Sequence, residues 1–199
     1  MSLLVETIKV ENGTLLNISF HNERMNRSLF EIFGQRNVID LEKFISVPES
    51  AQRGIFKCRI VYDHEIRETE FVNYLIKPVE SLKVIEDNEI EYLHKFTNRI
   101  RIEELMERRG KCDDIIIVKN NFVTDSSYAN VLFRDQNGNW ITPATYLLPG
   151  TRRASLLQKG LISEATITCN DICKYTDVKL INAMLGLNDT EGIPVKNIF

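Results

Sequence analysis

Apolar and polar residues alternate from Leu3 to Phe20 on either side of Asn12-Gly13. That pattern predicts a β-hairpin, because Asn-Gly readily adopts the positive backbone angles of a two-residue turn. Asn26-Arg27-Ser28 then precedes Leu29, Phe30, Ile32 and Phe33. Short polar side chains ahead of an apolar cluster at helical spacing predict an N-cap and a helix start. The helical pattern resumes over 38–44 and breaks at Pro48-Glu49-Ser50. Alternation returns over 55–62, Asp63-His64-Glu65 can turn, and 66–76 alternates again. A small antiparallel meander carrying one or two helices is the expected first unit.

Asp87-Asn88-Glu89 has the composition of a linker. Beyond it, apolar residues at 93, 96, 100, 102, 105 and 106 predict a helix over 90–109, ended by Gly110. Residues 113–119 read as a buried strand that turns at Asn120-Asn121, and 128–135 with 140–142 flank Asn137-Gly138 as a second hairpin. A helix over 153–159, a strand over 161–169, a short helix over 171–175 and a strand over 178–184 complete the pattern. The expected fold is α+β, in two small subdomains: 1–86 at the N-terminus and 87–199 at the C-terminus.

Of the 199 residues, 43% are hydrophobic and 27% charged, which suits a globular chain and excludes fibrous or disordered classes. The 25 basic and 28 acidic side chains are mixed along the chain, so no basic footprint for nucleic acid appears. A compact anion site built from one or two arginines remains compatible with this balance. No window approaches the ~20 apolar residues of a membrane span. Met-Ser-Leu-Leu-Val-Glu-Thr lacks the basic and long apolar regions of a signal peptide. Of the cysteines at 58, 112, 169 and 173, only the last two are close, and Cys-x3-Cys has no partner pair, whereas a structural zinc needs four ligands. His21, His64 and His94 form no metal-ligand spacing and read as structural or surface residues. No metal is expected. Free thiols suit a reduced compartment, so the chain reads as cytoplasmic, with neither a nucleic-acid nor a membrane partner.

Four places carry candidate chemistry. Lys95, one turn of the expected helix before Arg99, is a possible amine nucleophile, since a neighbouring cation lowers a lysine pKa; a solvated surface lysine is the plainer reading. In Thr124-Asp125-Ser126-Ser127-Tyr128-Ala129-Asn130 an acid enters a small-residue turn, which equally suits ordinary turn chemistry. Gly150-Thr151-Arg152-Arg153 opens an amphipathic stretch, and a glycine before a helix N-terminus makes an anion cradle; a loop with solvated arginines fits as well. Asn182-Ala183 ends an apolar strand.

In this order and spacing, the four elements resemble the class IV family of pyridoxal-phosphate enzymes. That family has a Schiff-base lysine, an acid in a Thr-Glu-small-small-x-Asn turn, a Leu-x-Gly-Ile-Thr-Arg phosphate loop and a closing small-residue strand end. Here the run is Lys95, Thr124 to Asn130, Leu148-Pro149-Gly150-Thr151-Arg152-Arg153 and Asn182-Ala183, with Thr142-Pro143 at a further family position. His21-Asn22-Glu23-Arg24-Met25 resembles the family's His-x-x-Arg-Leu. Within the family, Lys95-Phe96-Thr97-Asn98-Arg99 and Asn182-Ala183 are most similar to aminodeoxychorismate lyase. The chain departs from the pattern where Asp125 stands for glutamate, one methylene shorter, and where Ala183 lacks a threonine hydroxyl.

The resemblance implies the class IV (D-amino-acid aminotransferase-like) fold with pyridoxal 5'-phosphate as cofactor, held between the subdomains. Lys95 would carry the cofactor and move protons, and Asp125 would pair with the pyridine nitrogen. Arg24 would grip the phosphate together with Gly150, Thr151, Arg152, Asn182 and Ala183. The implied activity is a lyase that converts 4-amino-4-deoxychorismate to 4-aminobenzoate and pyruvate, in folate precursor synthesis. Two alternatives stay open: a class IV aminotransferase acting on branched-chain or D-amino acids, and a non-catalytic relative serving as a binding module. The implied partner is a small-molecule amine or aminodeoxychorismate substrate, and the implied assembly is a homodimer.

Overall fold

The computed structural model describes residues 3–199; Met1 and Ser2, which begin the stretch read above for a leader, lie outside the described residues. The chain forms two units. One runs up to Ile76 and takes back His94–Asn98; the other comprises Lys77–Leu93 and Arg99–Phe199.

The first unit opens with β1 (Leu4–Glu11) and β2 (Thr14–Leu15), turned at Asn12 and Gly13, whose φ angles are 49° and 80°. The second arm is short because α1 (Ile18–Phe33) already begins at Ile18, eight residues before the cap that Asn26 suggests. Asn26 lies inside α1 and finds its partners elsewhere. Its amide donates to Ile39 O and accepts from Ile39 N, both at 2.8 Å, while Asn22 accepts from Leu41 N at 2.8 Å. Residues that read as a cap thus clamp the following loop to the helix. That loop leads into α2 (Leu41–Phe44), capped by Asp40 through Glu42 N at 3.2 Å. The meander of β3 (Ile55–Tyr62) and β4 (Ile66–Asn73) forms as the alternation predicts, giving the order β2-β1-β3-β4. Met25 and Leu29 of α1 pack on Leu4, Ile8, Val10, Cys58, Ile60 and Tyr62.

The stretch expected as one long helix behaves differently. Residues 94–98 are not helical: Phe96 bridges to Leu4, Val5 N donates to Lys95 O at 2.9 Å, and Thr97 N donates to Leu3 O at 2.9 Å. β2 pairs with β1 only at Val10 and Glu11, so the other end of that edge is open to 94–98. The apolar spacing did not mark one buried face either, since Leu93 and Ile100 are both exposed.

The second unit begins with β5 (Leu82–Glu86), which the sequence reading assigned to the first. It pairs in parallel with β6 (Asp114–Lys119), and α3 (Ile100–Glu107) connects across. β7 (Phe122–Ser126), β8 (Asn130–Arg134), β9 (Trp140–Pro143), α4 (Thr151–Gln158), β10 (Ser163–Ala165), β11 (Asp177–Ile181) and β12 (Ile193–Pro194) follow. The sheet runs β10-β9-β8-β7-β6-β5, with β11 pairing to β8 and β12. Of the strand expected over 161–169 only three residues form. Cys169–Lys174 then make a single 3-10 helix, at whose start Thr168 and Asp171 cap each other reciprocally. Val118, Val123, Val131, Phe133, Ile167, Val178 and Leu180 form the main core. No helix among the described residues is long and apolar enough to cross a membrane.

Candidate active site

In the first unit, strand alternation puts Leu4, Glu6, Ile8 and Val10 of β1 on one face, so a carboxylate enters an apolar layer. Glu6 is fully buried. Burial alone would push its carboxyl up, but Arg24 and His21 outweigh that and hold it near a pKa of about 2. Arg24 grips it side-on, Nε to Oε1 at 2.8 Å and Nη2 to Oε2 at 2.6 Å, and His21 Nδ1 lies 2.5 Å from Oε2. His21 and Arg24 sit three residues apart on α1 and so reach the same spot. Burial, the largest influence, lowers the imidazole pKa, against the pull of Glu6. The sequence reading passed over Glu6. Its signal is a lone acid among inward-facing apolar positions of a strand.

Lys95 is in this unit as well. Its main chain is fixed to β1 as described, and its Nζ donates to Thr7 Oγ1 at 3.1 Å. Thr7 occupies the β1 face opposite Glu6. His94 beside it contacts Ser28 Oγ at 3.3 Å and Glu31 Oε2 at 3.5 Å.

In the second unit, Asp125 near the end of β7 is buried. Its Oδ1 accepts from Asn130 Nδ2 at 2.7 Å, and its Oδ2 accepts from Leu147 N and Leu148 N, each at 2.9 Å. Burial raises the carboxyl pKa to about 6, even though these donors pull it down. Asp125 and Asn130 face each other across β7 and β8. The intervening turn is closed by Ser126 N to Ala129 O at 2.8 Å and by the Ser126 hydroxyl, which accepts from Ala129 N at 3.1 Å. Turn chemistry and a buried candidate acid therefore coexist: Ser126 shapes the turn and Asp125 stands at its start.

Gly150 caps α4 without a side-chain bond. A Cβ there would stand 1.9 Å from Asn130 Oδ1, so only glycine lets the α4 N-terminus approach the Asp125 hairpin. Thr151 is buried at the first helical position. Arg152 Nη2 donates to Ala183 O at 3.2 Å, and Asn182 Oδ1 accepts from Met184 N at 2.8 Å and Leu185 N at 3.0 Å, shaping the turn after β11. Arg153 is committed elsewhere. It donates to Pro143 O at 2.9 Å, pairs with Glu164 and covers the Tyr146 ring at 4.6 Å, which ties α4 to β9 and β10.

The first unit thus holds Arg24 and Lys95; the second holds Asp125, Gly150, Thr151, Arg152, Asn182 and Ala183. The first unit offers an amine and a guanidinium; the second offers a helix N-terminus and a sealed carboxylate. Asp125 meets three donors, while an ionised carboxylate has about four acceptor sites. One acceptor position remains. Among the described residues no group of three His, Cys, Asp or Glu side chains is placed to hold a metal ion.

The sequence profile of the class IV amino-transferase family matches residues 77–198. An uncharacterized protein of Haemophilus influenzae is 40% identical over 186 residues, 92% of this chain and 98% of that protein. A crystal structure from Haemophilus somnus, provisionally named 4-amino-4-deoxychorismate lyase, has a TM-score of 0.89 and 35% identity, covering 94% of this chain and 98% of that one. A PLP-bound hypothetical aminotransferase of Mycobacterium tuberculosis shares the fold, with a TM-score of 0.73 and 17% identity, over 98% of this chain and 81% of that one.

Proposed function

The chain belongs to the class IV aminotransferase family, and from that membership we propose that it is a pyridoxal-phosphate-dependent lyase releasing 4-aminobenzoate and pyruvate from 4-amino-4-deoxychorismate. The observation that carries the cofactor assignment is the Asp125 cradle, a buried carboxylate with one acceptor position left, beside a helix N-terminus that only Gly150 permits. The lyase is favoured over an aminotransferase by the likeness to the Haemophilus somnus protein along nearly the whole chain. A cytoplasmic homodimer serving folate precursor synthesis is the setting that goes with this reading.

The residues fit the cofactor's chemistry. Pyridoxal phosphate, when bound, supplies an electron sink for charge that develops on the carbon next to the substrate nitrogen. The Lys95 amine would hold the cofactor covalently, and its Nζ would take up and return the proton of that carbon. The Thr7 hydroxyl orients Nζ. Asp125 would accept the ring N–H and keep the ring nitrogen protonated. The backbone N–H groups at Thr151, Arg152 and Ala183 would bind the phosphate; Arg24, whose Nε and Nη2 already serve Glu6, is the further phosphate ligand that the resemblance implies.

Two measurements test this. Protein mixed with pyridoxal phosphate should gain a visible absorption band, and Lys95→Ala should abolish it. Supplied with 4-amino-4-deoxychorismate and no keto acid, the wild type should release pyruvate. Amine transfer to a keto acid without pyruvate would make the chain an aminotransferase, and no band in either protein would leave only a binding module.

A further inference from the structure

Arg99 ends the Lys95–Arg99 stretch, and the roles assigned so far leave it unused. It is the N-cap residue of α3, yet its side chain makes no cap. The guanidinium turns instead onto the hairpin that displays Asp125, and Nη2 donates to the carbonyl of Ser127. Nε is buried with no hydrogen-bond partner. Among the described residues, the Ser127 carbonyl is the one acceptor for a group with five N–H donors. The contrast with other arginines is direct: Arg24, Arg67, Arg101 and Arg153 each pair with a carboxylate. A half-buried guanidinium without an anion is costly, and such groups persist where a ligand supplies the missing charge.

We propose that Arg99 binds a carboxylate group of the substrate. Its planar fork matches a carboxylate bidentately, and the Ser127 carbonyl holds that fork two residues from Asp125. The group bound is a ring carboxylate; 4-aminobenzoate, the aromatic product, retains the ring carboxylate of the non-aromatic substrate and is the simplest probe. The choice of an aromatic acid rests on the lyase reading; the anion site itself does not.

Calorimetric titration of the full chain, with and without pyridoxal phosphate, tests this with three probes: 4-aminobenzoate, its uncharged amide and inorganic phosphate. The acid should bind the wild type at least about tenfold more tightly than the amide, the scale of a lost charge-assisted hydrogen bond. Arg99→Met should erase that preference, and Arg99→Lys, which keeps the charge but loses the fork, should fall between. In turnover, Arg99→Met should raise KM by a similar factor with kcat little changed. Equal binding of acid and amide by the wild type overturns the proposal, as does an Arg99→Met protein that binds the acid normally. Phosphate that binds the pyridoxal-phosphate-loaded protein as tightly as the acid, and loses that binding in Arg99→Met, would mean a general anion site and would also overturn it. If no visible band forms but binding of the acid still depends on Arg99, the lyase reading fails and this one stands. If pyruvate is released and Arg99→Met keeps the wild-type KM, the reverse holds.

Discussion

Glu6 and Asp125 are both carboxylates sealed from water, yet they titrate in opposite directions. Burial opposes ionisation in each. Around Glu6, Arg24 and His21 outweigh burial; around Asp125 the hydrogen-bond donors are neutral, the charge of Arg153 adds the smallest pull, and burial wins. Glu6 therefore adds stability above its ordinary pKa of 4.5, and that contribution disappears as pH falls toward about 2. Glu6→Ala leaves Arg24 buried without its partner and should cost about 3–5 kcal/mol in denaturant unfolding at pH 7. A loss below 1 kcal/mol would show the pair to be solvated. Asp125 has the opposite sign: as pH rises from the ordinary 3.8 to about 6, the unfolded chain ionises more readily and the native state loses ground. Asp125→Asn removes that loss. Its stability relative to wild type should improve by on the order of 3 kcal/mol between pH 3.5 and pH 7, although it should not support activity. A pH-independent difference would sink this account. Lys95, Asp125 and Gly150 could be singled out as candidates in the sequence because residue type, order and spacing all bear on chemistry. Glu6 and the commitment of Arg153 were not, since both depend on which strand face or neighbouring strand a side chain meets.

At the scale of elements, Gly150 and Asn130 form one device. Asn130 braces Asp125 and also donates to Leu148 O at 3.0 Å, and α4 starts against its side chain. Gly150→Ala forces Asn130 aside and should destabilise the protein by about 1–3 kcal/mol while weakening cofactor affinity. Adding Asn130→Ala should recover part of the stability, and a double-mutant cycle that is strictly additive would exclude the contact. Hairpins at Asn12-Gly13 and Asn137-Gly138 were readable because the turn is set by the two residues in it. The start of α1 and the extent of α3 were not. Asn26 satisfies a distant backbone segment, and residues 94–98 pair with an open strand edge, so tertiary partners decided what local pattern left ambiguous.

At the scale of the whole molecule, the chain passes between its units three times, after residues 76, 93 and 98. The family match begins at Lys77, the first residue of the second unit. Lys95 nonetheless rests on β1 of the first. Hydrogen exchange should reveal this dependence. Leu4→Ala, which empties a fully buried position, should cost about 2–5 kcal/mol and speed exchange at Val5 and Thr97, while Val123, bonded to Ile167 O at 2.9 Å, stays protected. Equal acceleration in both units would contradict it.

This return of residues 94–98 to β1 has a consequence for inheritance. A single genetic crossover near residue 76 would seat one parent's lysine segment on the other parent's first strand. Recombinants should therefore keep their chemistry only when Leu3–Val5 and His94–Asn98 descend from the same parent or match at the backbone edge. The two units are not independent modules for shuffling, because Lys95 is encoded within the sequence of the second and housed in the first.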